Sequence, residues 1–314
     1  MTERIPRLAL GAIPYYWSRE QIELFYAQVA DAPVEIVYIG ETVCAKRKEM
    51  RTRDWLALGE ELAAAGKDVV LSTLVLLEAE ADLRTLRRIC ANGRFMVEAN
   101  DMGAVRLLQG ESFVAGPGIN IYNDRALTRL AALGLKRWVF PVELARDTLV
   151  ALQAIRPAYI ETEMFVYGRI PLAYSARCFT ARHLNLQKDD CGFCCHAYPD
   201  GLLVSSQEGA PFLNLNGIQT QSAQTYNLLT QLPELIELGI DVLRIGPQRE
   251  HTLEIIEIFD RVRRGEGEPQ DFDCMLEGYA PVRACNGYWH DEPGISQHDT
   301  YPGMHPALAS QDVL

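Results

Sequence analysis

The chain has 314 residues, 48% hydrophobic and 23% charged, which is ample apolar material for a packed core and excludes a disordered chain. Its 42 acidic and 30 basic residues leave a net charge of −12, which argues against a nucleic-acid binder held by phosphate contacts to a basic face. With no long apolar run for an integral membrane segment and no signal-like N-terminus, the chain reads as cytoplasmic, and its eight cysteines as core thiols, nucleophiles or metal ligands rather than a disulfide framework.

Short apolar runs alternate with amphipathic stretches from the start. Residues 8–13 read as a strand and 18–30 as a helix with Ser18 at its N-cap. Strands follow at 35–39, 68–71 and 95–99, with helices at 52–65, 78–91 and 101–108 between and after them. Residues 113–115 are a strand that continues through Gly116-Pro117-Gly118 into a second short strand at 119–122. A helix at 124–133, a strand at 138–140, a helix at 144–155 and a strand at 159–161 complete the run. The rhythm then breaks: 168–201 has no helical period and holds four cysteines. Residues 202–205 and 212–215 read as a β-hairpin, after which β/α patterning returns at 228–238, 241–245 and 252–264.

Repeated β/α units with short connections predict a parallel sheet. The fold class is therefore α/β, a TIM-like (β/α) barrel with a cysteine-rich insertion and an irregular C-terminal tail. An open doubly wound sheet is the alternative, weakened by the absence of a GxGxxG after any strand. Residues 1–264 form the barrel domain, including the segment 168–201, and residues 265–314 a tail packed on it.

Cys178, Cys191, Cys194 and Cys195 crowd into one long polar segment, where packing gives thiols no role. Zinc sites favour two short CxxC pairs, and only Cys191–Cys194 is one; an iron–sulfur cluster accepts irregular thiolate spacing. Cys44 follows the strand 35–39, and segments that follow barrel strands gather at the C-terminal face, so it can meet the central set. Cys90 lies on the apolar side of a helix and reads as a structural thiol, while Cys274 and Cys285 are weaker candidates.

Glu163, Phe165, Gly168 and Cys178 fall on a signature E-x-F-x-x-G followed by cysteines, and the stretch closely resembles the collagenase-like peptidase family, peptidase family U32. Pro171 stands where the family's first cysteine would be, and Ala176 where a glycine is usual. The runs 40–44, 175–182, 188–191, 198–201 and 285–290 resemble the branch that serves oxygen-independent ubiquinone biosynthesis. That resemblance implies a [4Fe–4S] cluster on Cys44, Cys178, Cys191 and Cys195, with Cys194 as the competing thiol. It also implies a heterodimer with a UbiU-like protein, a lipid-carrier protein of the same pathway as a further partner, and a small-molecule substrate. The implied reaction is aromatic ring hydroxylation with prephenate as oxygen donor.

Two alternatives stand beside it: RNA hydroxylation as in other family members, and a non-catalytic electron-transfer or scaffold role. Peptidase activity is disfavoured, because neither HExxH nor Gly-x-Ser-x-Gly occurs. Arg169, Arg177 and Arg182 flank the thiols and can balance a cluster dianion or hold a carboxylate. Asn100 and Asn120 end or follow strands and point to the same face; Arg177, Arg182 and Asn100 are the candidate substrate contacts.

Overall fold

The computed structural model describes residues 5–298. The first seven strands are β1 (Arg7–Leu10), β2 (Ile36–Ile39), β3 (Asp68–Ser72), β4 (Met96–Ala99), β5 (Phe113–Ala115), β6 (Leu135–Val139) and β7 (Glu161–Tyr174). They pair in parallel in that order. The helices between them are α1 (Arg19–Asp31), α2 (Thr52–Ala64), α3 (Glu80–Cys90), α4 (Met102–Leu107), α5 (Asp124–Ala131) and α6 (Arg146–Ile155).

After β7 come α7 (Phe179–His183) and an antiparallel set, β8 (Leu202–Ser205), β9 (Pro211–Asn216) and β10 (Gln219–Asn227). Then α8 (Leu232–Glu237) leads to β11 (Val242–Ile245), which pairs in parallel with both β7 and β1. Those two ladders close an eight-stranded parallel barrel, and the open-sheet alternative falls away. The chain continues through α9 (Thr252–Arg263), α10 (Asp273–Tyr279) and β12 (Ala284–Cys285).

Strand alternation sorts side chains onto two faces. Ala9, Ile36, Tyr38, Val70, Val114 and Val139 point into the barrel. Their neighbours Leu8, Val37, Ile39, Leu71, Val97 and Trp138 point outward and pack with the helices. Ser18 caps α1 through a reciprocal bond pair with Gln21.

Three sequence expectations change. The strand predicted at 159–161 is β7 and runs on to Tyr174, so the segment 168–201 begins as regular structure. Its second half looks irregular in sequence because it pairs with β10 outside the barrel and lacks a single buried face. The stretch predicted as a strand at 119–122 instead passes through a 3-10 turn at Pro117–Ile119, ended by Asn120 in the left-handed region. The tail beyond residue 264 carries α10, and Phe272, Leu276, Cys285 and Trp289 join the same core as the barrel helices; residues 299–314 of the predicted tail lie outside the described residues. Among the described residues, no helix is long and apolar enough to cross a membrane.

The barrel interior is not purely apolar. At its lower end Arg137 Nε donates to Glu161 at 2.9 Å, and Arg7 Nη2 donates to the same carboxylate at 2.8 Å. Burial works to raise the Glu161 pKa, but Arg137 and Arg7 override it and hold the carboxyl below its usual range. A carboxylate depressed on folding stabilises fully above its unfolded pKa, about 4.3, and that contribution is lost as pH falls through the folded value. Glu161→Gln should therefore melt below wild type at pH 7 and show a flatter fall in Tm below about pH 4.3. Thermal scans from pH 3 to 7 check this; equal slopes would remove Glu161 from the account.

Candidate functional site

The strand that leaves the barrel carries the first part of the site. Glu163 is 0% exposed. It accepts from Tyr38 Oη at 2.5 Å and from Arg244 Nε at 2.5 Å. Arg244 reaches on to Glu98 at 2.7 Å, and its guanidinium lies 3.9 Å from the centroid of the Tyr38 ring. Burial opposes the Arg244 charge, yet Glu163 and Glu98 hold its pKa well above the ordinary value. Phe165 stacks on Tyr226 with centroids 6.3 Å apart. Gly168 has φ +129°, and a Cβ there would lie 3.0 Å from the Phe165 ring and 3.2 Å from the Gly246 Cα. The E-x-F-x-x-G signature is thus the device by which β7 is anchored inside the barrel, shifts register against β11 and continues past the rim.

Beyond the rim β7 delivers the thiols. Cys178 caps α7, its Sγ accepting from the Ala181 amide at 3.4 Å. Cys191 ends a 3-10 turn, and Phe193, left-handed at φ 56°, turns the chain so that Cys194 and Cys195 follow on the next turn. Cys44 comes from the loop after β2. Lys46 Nζ ties that loop to the central segment, donating to Lys188 O at 2.9 Å and Asp189 Oδ1 at 2.6 Å. Trp17 Nε1 donates to Pro199 O at 2.8 Å, and the Tyr16 and His196 rings lie 4.1 Å apart, fixing the segment to the loop after β1.

These five thiols are free and half-buried. Cys194 feels the charges of Cys178 and Cys191, and Cys195 those of Cys178 and Cys194. Cys44 and Cys191 both act on Lys46. Burial pushes the Cys195 thiol up to about 11 against a hydrogen bond and charge from Arg47; burial likewise raises Cys44, opposed by Arg47 and Lys188. Lys46, Arg47 and Lys188 therefore supply the cations around the thiols. Arg177 and Arg182, by contrast, are exposed.

Among the described residues, no three His, Cys, Asp or Glu side chains are gathered to hold a single metal ion. A zinc ion with Zn–S distances of about 2.3 Å would need its sulfurs within about 4 Å of one another. As donors, four thiols in one neighbourhood suit all-thiolate ligation of a larger group. Cys90 is half-buried on α3, its thiol pushed up to about 11 by burial alone. Cys285 is buried in β12 and Cys274 is exposed.

A cavity of about 500 Å³ opens at the same end of the barrel. Glu98, Asn100 and Arg244 line it from inside the barrel, with Phe140, Phe165 and Ile170 as apolar walls. Asn100 is 3% exposed and Arg244 5%. Asn100 Nδ2 donates to Thr73 O at 3.0 Å and to Glu98 at 3.2 Å, leaving its Oδ1 buried without a partner; Arg244 Nη2 is likewise unpartnered. A Cβ on Gly116 would come within 2.0 Å of Asn100 Oδ1, so the glycine makes room for the amide. The cavity thus offers one free acceptor and one free donor to a bound molecule.

Asn120, Pro171 and Tyr15 also line the cavity, as does Arg169, whose Nη1 donates to Asp200 O at 3.2 Å. Tyr15 is raised to about 12 by burial, opposed by Arg169. Arg177 and Arg182 lie outside this lining, whereas Asn100 is part of it. Thr42 faces the cavity two residues before Cys44, so cavity and thiols share one loop. Sequence reasoning missed Glu98, Arg244 and Arg47. The available signal was a charge at an inward position of an otherwise apolar strand, for Glu98 and Arg244.

Fold and site define an α/β-barrel protein whose thiol-bearing excursion and polar cavity share the C-terminal face of the barrel. The chain belongs to peptidase family U32, whose sequence profile matches residues 17–293. It is 31% identical over 154 residues to tRNA hydroxylation protein P1 of Bacillus subtilis (strain 168), a match spanning 46% of this chain and only 36% of that protein. Among solved structures it is similar to the U32 peptidase Mk0906, at 14% identity and TM-score 0.43, covering 79% of this chain and 94% of that one. N-acetylneuraminate lyase of Aliivibrio salmonicida is similar at 11% identity and TM-score 0.45, covering 85% and 77% of the two chains.

Proposed function

We propose that the chain is the iron–sulfur subunit of an oxygen-independent hydroxylase of the UbiV type, acting with a UbiU-like protein in cytoplasmic, anaerobic ubiquinone biosynthesis. The observation that supports this reading is that Lys46, two residues after Cys44, is bonded to Lys188 and Asp189 of the segment that carries Cys178, Cys191 and Cys195, beside a cavity at the catalytic end of the barrel fold. These four cysteines would hold a [4Fe–4S] cluster, which when bound supplies one-electron chemistry. Lys46, Arg47 and Lys188 offset the charge of the thiolates. The cavity positions a small molecule: Arg169 offers a cation to a carboxylate such as that of prephenate, and Asn100 and Arg244 a hydrogen-bonding pair. Membership of a family that includes a relative named for tRNA hydroxylation supports hydroxylation as the reaction type. A lipid-carrier protein of the pathway would present the apolar substrate.

The name of that relative also favours a second reading, hydroxylation of RNA, against which the net charge of −12 weighs. The test is anaerobic co-expression with the UbiU-like partner, iron and sulfide analysis, and assay of a ubiquinone precursor and of tRNA with prephenate. Iron and sulfide in the proportions of one cubane, a heterodimer, and ring hydroxylation are expected. Stoichiometric zinc without iron after anaerobic reconstitution would overturn the cluster assignment. Hydroxylated tRNA with an unchanged ubiquinone precursor would select the second reading.

A further inference from the structure

A second cavity, of about 400 Å³, lies on the flank of the barrel between α2, α3 and the loops after β2 and β3. It shares no lining residue with the cavity at the barrel mouth. We propose that it is a separate binding site for a small amphipathic oxyanion, a molecule with an apolar body and a carboxylate or phosphate end. At about 30 Å³ per non-hydrogen atom the cleft holds on the order of a dozen such atoms. The inference does not rest on the thiol reading.

The body is set by the walls. Met50, Trp55, Leu74, Leu77, Leu86 and Ile89 line the cleft and offer nothing to a polar chain. The charged end is set by an imbalance. Four cations, Arg47, Lys48, Arg51 and Arg88, face two carboxylates, Glu41 and Asp82. Both carboxylates are committed. Glu41 accepts from the amides of Val43 and Cys44 at 2.9 and 3.0 Å and lies 3.7 Å from Arg47. Asp82 accepts from the amides of Glu78 and Ala79. Lys48, Arg51 and Arg88 form no ion pair among the described residues. The cleft is thus a positive spot on a chain of net charge −12.

The second observation is Arg47 itself. Only 5% exposed, it spends Nη1 on Pro14 O at 2.6 Å and Nη2 on Asn216 Oδ1 at 2.7 Å. Its Nε–H is buried with no acceptor. A buried guanidinium N–H without a partner costs free energy that an oxyanion seated in the cleft would return. Lys48, Arg51 and Arg88 are exposed and stand at the entrance, where they draw in an anion.

Calorimetric titration of the anaerobically purified full chain with decanoate, decyl phosphate and decanol tests this. Saturable binding of one anion per chain is expected, with decanol at least about tenfold weaker, the ratio that one charge-assisted contact of about 1.4 kcal/mol provides. Whichever anion binds more tightly assigns the end group. Thr85 lines the cleft from α3, so Thr85→Trp should fill it and remove binding while leaving Tm near wild type. Should that variant fold poorly, Arg51→Glu with Arg88→Glu, both on the surface, should weaken both anions about tenfold and leave decanol unchanged. Decanol binding as tightly as the anions, or undiminished anion binding in a folded Thr85→Trp protein, would refute the proposal, as would the absence of saturable binding.

Discussion

Replacing Glu163 by Gln should lower the stability of the barrel by about 3–5 kcal/mol, the usual cost of removing one partner from a buried ion pair. The carboxylate is fully buried and answers two groups at once, Tyr38 Oη and Arg244 Nε, both at 2.5 Å. Its loss leaves the buried Arg244 guanidinium facing Glu98 alone. A Tm lower by roughly 10 °C is expected, taking about 2–4 °C per kcal/mol. The double variant Glu163→Gln, Arg244→Met should lose less than the two single losses added together, because each single change already breaks the pair between them, while the double still leaves buried Glu98 without its cation. Thermal scans of the two single variants and the double form the cycle. If the double variant is as unstable as the two single losses added together, the two residues are not coupled, and the signature glutamate has another task. An activity loss without a stability loss would move Glu163 from the scaffold to the chemistry.

The second large effect concerns the thiols and depends on the proposed cluster. Cys44→Ala, Cys178→Ala and Cys191→Ala should each lose most of the iron of the wild-type protein, whereas Cys90→Ala should keep it. Cys90 sits on α3 in an environment governed by burial alone, apart from the other thiols. Between the neighbours Cys194 and Cys195, the Cys-x3-Cys spacing of the resembled family selects Cys195, and the Arg47 charge opposes the burial that raises its thiol to about 11. Cys195→Ala should therefore lose most of the iron and Cys194→Ala retain it, read by iron content and by the visible spectrum under anaerobic conditions. A reversed pair of results would make Cys194 the ligand, in the CxxC step from Cys191. Retention in both single variants with loss in the double would show that the two thiols replace each other.

The sequence by itself determined the barrel and the neighbourhood of its site. Strand runs such as 113–115 and 138–140 announce themselves because a parallel strand packs on both faces and reads as continuously apolar. The helices between them announce themselves by their period. Their order forces right-handed crossovers, and so brings the loops carrying Cys44 and Cys191 to one end.

Only the tertiary structure decided the rest. The long β7 was illegible because its outer half is held by β10, a partner some fifty residues away, rather than by a pattern of its own. The roles of Glu98, Arg137, Glu163 and Arg244 were equally hidden. Spacing along a chain does not say which inward charges will meet across a closed barrel; strand tilt and register do. Arg47 shows the same limit. Nothing in its place three residues from Cys44 marks it out, and only the fold buries it between Pro14, Asn216 and Cys195. Periodicity records how each segment meets its immediate surroundings, whereas a site is made where segments distant in sequence are packed together.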